Sequence, residues 1–376
     1  MNEWRRGGPV SRRQLFAAGG LSAMGVALAG CTGSGDDSGG DAPAPGAGAG
    51  TLKEMGPPET TSITFAIGNP NYASQAPFFI GMENGYYEER GFTDVEVRNL
   101  EETIQAVLSR GATFGIADTD EAALAVKDGA AIRAIGCGRD RETVLMALAP
   151  GIKNPSDLAG KKAIMFTPGT RNFNVRAEIL RAWGLRDPAE QLEIVELSGA
   201  SDAWVQALLS GQVAATTAFQ RHIAQLRREG ATVLPARIVN VPQEVMIARQ
   251  DFIEQNPNTV ANMWMAHLQS MGVYFDFSKM NDVLDLMREN DFEITDDFVE
   301  GHASQVEEWS PNGGFRMAEM AAFLQEMKSE DLIPADFKYQ DFMDLTGLHQ
   351  AQQALGIGPW PPNEDVGVMT KYELLG

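Results

Sequence analysis

A strand-then-helix rhythm that starts at residue 62, stops, and restarts after Gly151 constrains this chain more than any other feature. Ile63, Phe65 and Ile67 alternate with Ser62, Thr64 and Ala66, a period of two that marks a strand, and the pattern ends at Gly68-Asn69-Pro70-Asn71. A helix is expected over 76–89, a strand over 95–97, a helix over 102–109 and a strand over 114–117. The second round reads as strand 162–166, helix 171–183, strand 192–197, helix 202–209 and strand 213–219. Such alternation predicts a mainly parallel sheet covered on both faces, and two rounds of it predict two lobes. At 376 residues the chain is also too long for one ordinary domain. Beyond Asn256-Pro257 the period lengthens. Val260, Met263, Trp264, His267, Met271 and Tyr274 share one helical face, as do Met317, Met320, Ala321, Leu324 and Met327, and both stripes read as core, with His267 a packing residue inside the first.

Residues 1–30 form a targeting segment: Arg5, Arg6, Arg12 and Arg13, then an apolar run over 15–28, then small residues. The run is too short and too rich in glycine (Gly19, Gly20, Gly25) to span a bilayer, which needs roughly 20 apolar residues. Ser11-Arg12-Arg13-Gln14-Leu15-Phe16 resembles a twin-arginine export signal, with Leu15 where that pattern usually has Phe, and Sec export stays open. Leu28-Ala29-Gly30-Cys31 resembles a bacterial lipobox, which implies that Cys31 is lipidated and becomes the first residue of the mature chain. From residue 32 to about 60 the chain is Gly, Pro, Ala, Ser and Asp with little that can pack, so 31–60 is expected to be a lipidated, disordered tether with a reach of about 30 Å.

The formal charge of −21 excludes the basic surface that condenses on nucleic acid, and no nucleic-acid partner is expected. Because residues 1–30 are basic, the acidity belongs to the folded part. Cys31 and Cys137 lie in segments too different to suggest a structural disulfide, and His222, His267, His302 and His349 are too scattered for a metal site, so neither metal nor cofactor is expected.

Four stretches resemble one family. Residues 78–92, ending Gly85-Tyr86-Tyr87-Glu88-Glu89-Arg90-Gly91-Phe92, are similar to its first helix and turn. Residues 104–117 resemble the next step, with Thr113 where Asp is usual. Residues 154–162 resemble the entry to the second lobe. Residues 208–215 resemble a further turn, with Ala214 at the usual Asp. The family is that of the periplasmic-type substrate-binding proteins of ABC importers, in the branch for sulfonates, taurine, nitrate and thiamine pyrimidine precursors, and the resemblance covers about 62–275. It implies an α/β, two-lobed clamshell of the periplasmic-binding-protein type 2 kind with a helical C-terminal part. The lobes would be 61–149 plus 238–376, and 150–237, with crossings near 150 and 238, and the clamshell would close on its ligand by hinge motion.

Ligands of open α/β sheets lie beyond the carboxyl ends of the strands, which singles out three loops. Asn69, Asn71 and Tyr72 offer amides and a ring after the first strand, or form a plain Asn-Pro turn. Asp118-Thr119-Asp120-Glu121 reads as a capping box, Asp118 the N-cap and Glu121 reaching back. That leaves Asp120 free to hold an ammonium or an aminopyrimidine. Thr167, Gly169, Thr170, Arg171 and Asn172 make an anion seat, or Thr170 is an ordinary N-cap with Arg171 in solvent. Ser201 repeats that geometry beside Asp202, and the family likeness favours both of these loops. Trp204, Trp309, Phe219 and Gln220 are further candidates to line or close the cleft, although Trp and Phe at such positions are more often core.

The resulting expectation is a non-enzymatic, monomeric, lipid-anchored binding protein on the outer face of the cytoplasmic membrane. It would present a small polar or anionic organic molecule to an ABC permease. Enzymes resembling pyrimidine synthases or menaquinone-pathway dehydratases share the fold, and a ligand-sensing lipoprotein is a third reading. An export signal opposes the enzymes, and so does the lack of a Cys-rich motif.

Overall fold

The computed structural model describes residues 55–357, apart from 69–71, 101, 167, 169–170, 196–200, 220–221, 293, 295–298, 300–301 and 303–305; for 72–74, 171, 172 and 201 it describes the backbone alone. The expected lipidation site Cys31 and most of the expected tether therefore lie outside the described residues.

The first round folds as read, with β1 (Ser62–Ile67), β2 (Asp94–Asn99) and β3 (Phe114–Asp118) all parallel. Two further strands complete the sheet: β4 (Ile132–Cys137) and β11 (Glu244–Arg249), the latter lying antiparallel between β3 and β4, in the order β2-β1-β3-β11-β4. Alternate residues feed opposite faces. Ile63, Phe65, Ile67, Phe114, Ile116 and Met246 enter one apolar core, while Ala66, Ala117, Val245 and Ile247 enter another. On the first face Phe65 packs at 4.6 Å from Phe78 and 5.5 Å from Phe114, measured between ring centres.

The first helix runs over Tyr72–Glu83 rather than unbroken to Glu89, because Gly85 takes a left-handed conformation (φ 73°) and a separate turn, Tyr86–Glu89, follows it. The helix Pro257–Phe275 is buried on nearly all sides, as its near-continuous apolar sequence requires. Gly136 of β4 admits it closely: a Cβ there would stand 2.2 Å from the Trp264 ring. The helices Met280–Glu289, Met317–Ser329 and Thr346–Ala354 also contribute to the cores of this first sheet.

The second sheet has the order β10-β5-β8-β6-β7, with β9 (Thr232–Val233) pairing β5. Its strands are β5 (Arg141–Leu148), β6 (Lys162–Ile164), β7 (Glu193–Val195), β8 (Ala215–Ala218) and β10 (Arg237–Asn240), and β6, β7 and β8 are parallel. It too has a core on each face, built on Val144, Met146 and Leu148 on one side and Leu145, Ala147 and Ile164 on the other. Since β5 and β10 both belong to this sheet, the chain crosses at 138–140, earlier than residue 150, and returns at 241–243, later than 238.

At the other end of the body, residues 55–60 are ordered, so the expected tether is shortened by those residues. Glu59 takes the start of the helix Pro257–Phe275 in a two-pronged grip. Oε1 accepts from the Asn258 amide (3.0 Å) and side chain (2.8 Å), and Oε2 accepts from the Thr259 amide (2.7 Å) and hydroxyl (2.9 Å). Asn258 and Asn262 in turn bond the Gly56 backbone. Burial works against the Glu59 charge, but these bonds outweigh it and hold the carboxyl below its ordinary pKa.

Candidate ligand site

At the carboxyl edge of the first sheet, β3 ends in Asp118 and β11 begins with Glu244. The register sets these two residues directly opposite one another on adjacent antiparallel strands. Side chains so paired leave the same face with Cβ atoms about 5 Å apart, an arrangement that disfavours two like charges. Arg139, on the outgoing crossing, answers part of this repulsion: Nη2 donates to Glu244 Oε1 (2.5 Å) and Nη1 to Glu308 Oε2 (3.2 Å). Burial opposes the charge on Arg139, and the Glu244 and Glu308 carboxylates overcome it, raising the guanidinium pKa above its ordinary value.

Three chain segments are knitted together here. The Gln243 amide donates to Arg139 O (2.9 Å), the Asp140 amide to Glu308 O (2.9 Å), and the Ser310 amide to Gly138 O (2.8 Å). Glu308 Oε1 also accepts the Thr143 amide of β5 (3.1 Å), so one carboxylate joins the crossing to the second sheet. Arg316 donates to Asp140 (3.1 Å).

The capping box expected at Asp118–Glu121 does not form. Asp118 stands at the N-cap of the helix Thr119–Lys127 with no side-chain cap bond, while Asp120 Oδ1 accepts the Glu121 amide (2.9 Å). The roles are exchanged: Asp120 is engaged by the backbone and the Asp118 carboxylate has no hydrogen-bond partner among the described residues. The cause is the strand register, which fixes Asp118 toward Glu244 before the helix begins. Asp118 is open to solvent on one side and crowded by protein on the other. Desolvation, followed by Glu244, Asp120 and Glu121, pushes it up to about 7 against the pull of Arg139. Around it, Glu244 Oε2, Thr119 Oγ1 and Gln243 Oε1 are buried acceptors without a partner, and Arg139 Nε is a donor without one.

The corresponding edge of the second sheet is organised by Arg176, a residue the sequence reading passed over. Its helix, Arg171–Trp183, places it in the buried stripe with Phe173, Ala177 and Leu180, where it is 1% exposed. Nε donates to Thr217 Oγ1 of β8 (3.0 Å), Nη2 to Glu142 Oε1 of β5 (3.0 Å), and the guanidinium lies 4.4 Å from the Phe166 ring centre. Trp204 packs edge-on against the same Phe166. Just after β8 the Phe219 amide donates to His222 Nδ1 (3.2 Å), which leaves Nε2 to donate to Asp202 (2.7 Å) and ties the end of β8 to the start of the helix Ser201–Leu209.

Of the other expected site residues, Tyr72, Arg171, Asn172 and Ser201 open their helices, with side chains outside the described residues. Asn69, Asn71, Thr167, Gly169, Thr170 and Gln220 lie outside them altogether. Trp309 is core, 5.9 Å from the His267 ring. His267 is buried among Phe78, Trp264 and Trp309. Desolvation lowers its pKa to about 3, so it is neutral, and its Nδ1 has no partner. Cys137 is buried, and its Sγ donates to Glu244 O (3.7 Å). No group of three or more metal-ligating side chains stands together among the described residues, and none of the described helices is long and apolar enough to cross a membrane.

Two sheets of this topology, joined by two crossing segments, are those of the periplasmic-binding-protein fold, and the solved structures agree. The periplasmic nitrate-binding protein NrtA of Synechocystis PCC 6803 superposes with a TM-score of 0.62 at 15% identity, covering 82% of this chain and 94% of that one. A periplasmic sulfonate-binding protein, SsuA of Methylobacillus flagellatus KT, gives 0.58 at 16% identity over 81% and 98%. A Candida albicans protein described as having the generic periplasmic binding protein fold gives 0.51 at 11% identity over 78% and 95%. No curated protein sequence matches the chain. Residues 72–276 match the family model described as NMT1/THI5 like, more than half of the chain, and the protein belongs to that family.

Proposed function

We propose that this is an extracytoplasmic solute-binding protein, lipid-anchored through Cys31 on the outer face of the cytoplasmic membrane. It captures a small polar organic molecule of the sulfonate, taurine or aminopyrimidine type as a monomer and presents it to an ABC permease. It performs no chemistry on that molecule. The observation that carries the reading is the first-sheet edge, where Glu244 Oε2, Thr119 Oγ1 and Gln243 Oε1 are buried without partners beside the solvent-facing, unbonded carboxylate of Asp118. Buried polar atoms of this kind are costly unless something meets them. Family membership and the transport proteins among its structural neighbours support the same reading.

Thermal unfolding of the full chain against taurine, short alkanesulfonates, nitrate and aminopyrimidines tests it. A ligand at a hundredfold excess over its Kd adds about 2.7 kcal/mol and moves the midpoint by several degrees. No shift with any of them removes the proposal for this ligand set. For the anchor, Cys31→Ser is expected to abolish incorporation of labelled palmitate and to release the protein from membranes; continued incorporation refutes it.

A further inference from the structure

We propose that the first-sheet edge is a seat for a primary ammonium group of the ligand, held between the Asp118 carboxylate and the free oxygen of Glu244. The inference rests on the solute-binding reading and narrows it: a ligand without an amine, such as a plain alkanesulfonate or nitrate, does not satisfy this half of the site.

Three observations converge on it. The register faces Asp118 with Glu244, so both carboxylates leave the same side of the sheet. Glu244 is 6% exposed and commits only Oε1, to Arg139, leaving Oε2 buried with no partner. Thr119, next to Asp118, is 1% exposed with its hydroxyl unbonded, its amide donates to Gln243 O (3.1 Å), and Gln243 Oε1 is likewise buried and unbonded. Carboxylate and amide oxygens only accept, and an ammonium brings three donors and no acceptor.

Charge points the same way. Asp118, Asp120 and Glu121 from the β3 end and its helix, and Glu244 from β11, are faced by Arg139, whose Nη atoms are divided between Glu244 and Glu308. Arg139 is therefore engaged by the protein's own carboxylates, and an anion brought here would meet excess negative charge. A hard divalent cation suits the place less well, since it seeks six or more oxygens and no cluster of three metal-ligating side chains stands among the described residues.

The test uses matched pairs that differ only in the amine: taurine with ethanesulfonate, β-alanine with propionate, and an aminomethylpyrimidine with the methylpyrimidine. Titration calorimetry on the full chain at pH 7.5 is expected to show binding for at least one amine and at least tenfold weaker binding for its partner. Asp118→Asn and Glu244→Gln should each cost that amine tenfold or more. Binding by Asp118 at neutral pH should also release protons, because an ammonium at the pair draws the Asp118 proton off, so the heat should change between buffers of different ionisation enthalpy. Equal binding of amine and partner overturns the ammonium seat while leaving solute binding standing. A shift produced by calcium or magnesium chloride alone, abolished by Asp118→Asn, overturns it in favour of a metal. Failure of all pairs and of every other probe overturns both readings. Since the unliganded Asp118→Asn protein loses a like-charge contact, its midpoint should not fall, and a fall assigns Asp118 a structural role instead.

Discussion

The two sheets each set an arginine at the edge beyond their strand ends, and they treat it differently. Arg176 is saturated: a hydroxyl, a carboxylate and an aromatic face take up its guanidinium, and the three elements it joins are locked. Arg139 is outnumbered by carboxylates, and its neighbours keep acceptors to spare. A charged side chain whose bonds are all met by its own protein is scaffold, whereas capacity to bind sits where the protein leaves its own polar atoms unmet.

The sharpest way to break the comparison is to remove Arg139. Arg139→Met strands Glu244 and Glu308 as buried, uncompensated charges, and unfolding in denaturant should show a loss of about 3–5 kcal/mol. A loss below 1 kcal/mol would mean that water reaches both carboxylates. Arg176→Met should cost less, about 2–3 kcal/mol, because Glu142 keeps some contact with solvent. If the two losses come out reversed, the second sheet rather than the crossing carries the stability.

Away from both edges, Glu59→Ala should cost about 1 kcal/mol by uncapping the helix Pro257–Phe275. The folded pKa of Glu59 is depressed, so its contribution is full above the unfolded carboxyl value and is lost as pH falls through the lower folded one. The difference between wild type and variant should vanish in acid. A difference that persists there would assign the loss to packing.

The smallest effect is the most diagnostic. Asp118→Asn should stabilise the unliganded protein by about 0.5–1 kcal/mol at pH 8 through relief of the cross-strand repulsion. The sign follows from a folded pKa raised to about 7 from 3.8: wild type is relatively most stable below 3.8, loses that advantage between 3.8 and 7, and is level above. The gain should accordingly be absent at pH 3.5 and complete by pH 8, read by thermal midpoints of the two proteins across that range.

Local pattern made most of the scaffold legible. The period of two in β1 and the apolar stripe of Pro257–Phe275 belong to residues near one another in sequence, and both appear where their spacing puts them. The site was legible only in outline. The Asp118–Glu121 loop is legible as a candidate, with Asp118 read as a cap and Asp120 as the free carboxylate, but the pairing of Asp118 with Glu244 is fixed by a register between distant strands, which no local signal carries. The capping box is a similar case: sequence spacing allows it, but Asp118 ends a strand opposite Glu244 and makes no cap bond, while Asp120 takes the Glu121 amide. Arg176 did leave a trace: with Phe173, Ala177 and Leu180 it falls at helical spacing, and an arginine inside an apolar stripe must find its partners in the interior. Glu308 left none, because its role depends on a C-terminal segment returning to a crossing far away in sequence.

The grip of Glu59 on Asn258 and Thr259 carries a mechanical consequence. If the chain is drawn from its N-terminal side, the load falls first on a clasp of charged and amide bonds sheared along the head of a long buried helix. The ladder of β1, an inner strand of the first sheet, is spared until that clasp yields. A tug on the leash would thus be absorbed by the collar, leaving the floor beneath Asp118 undisturbed.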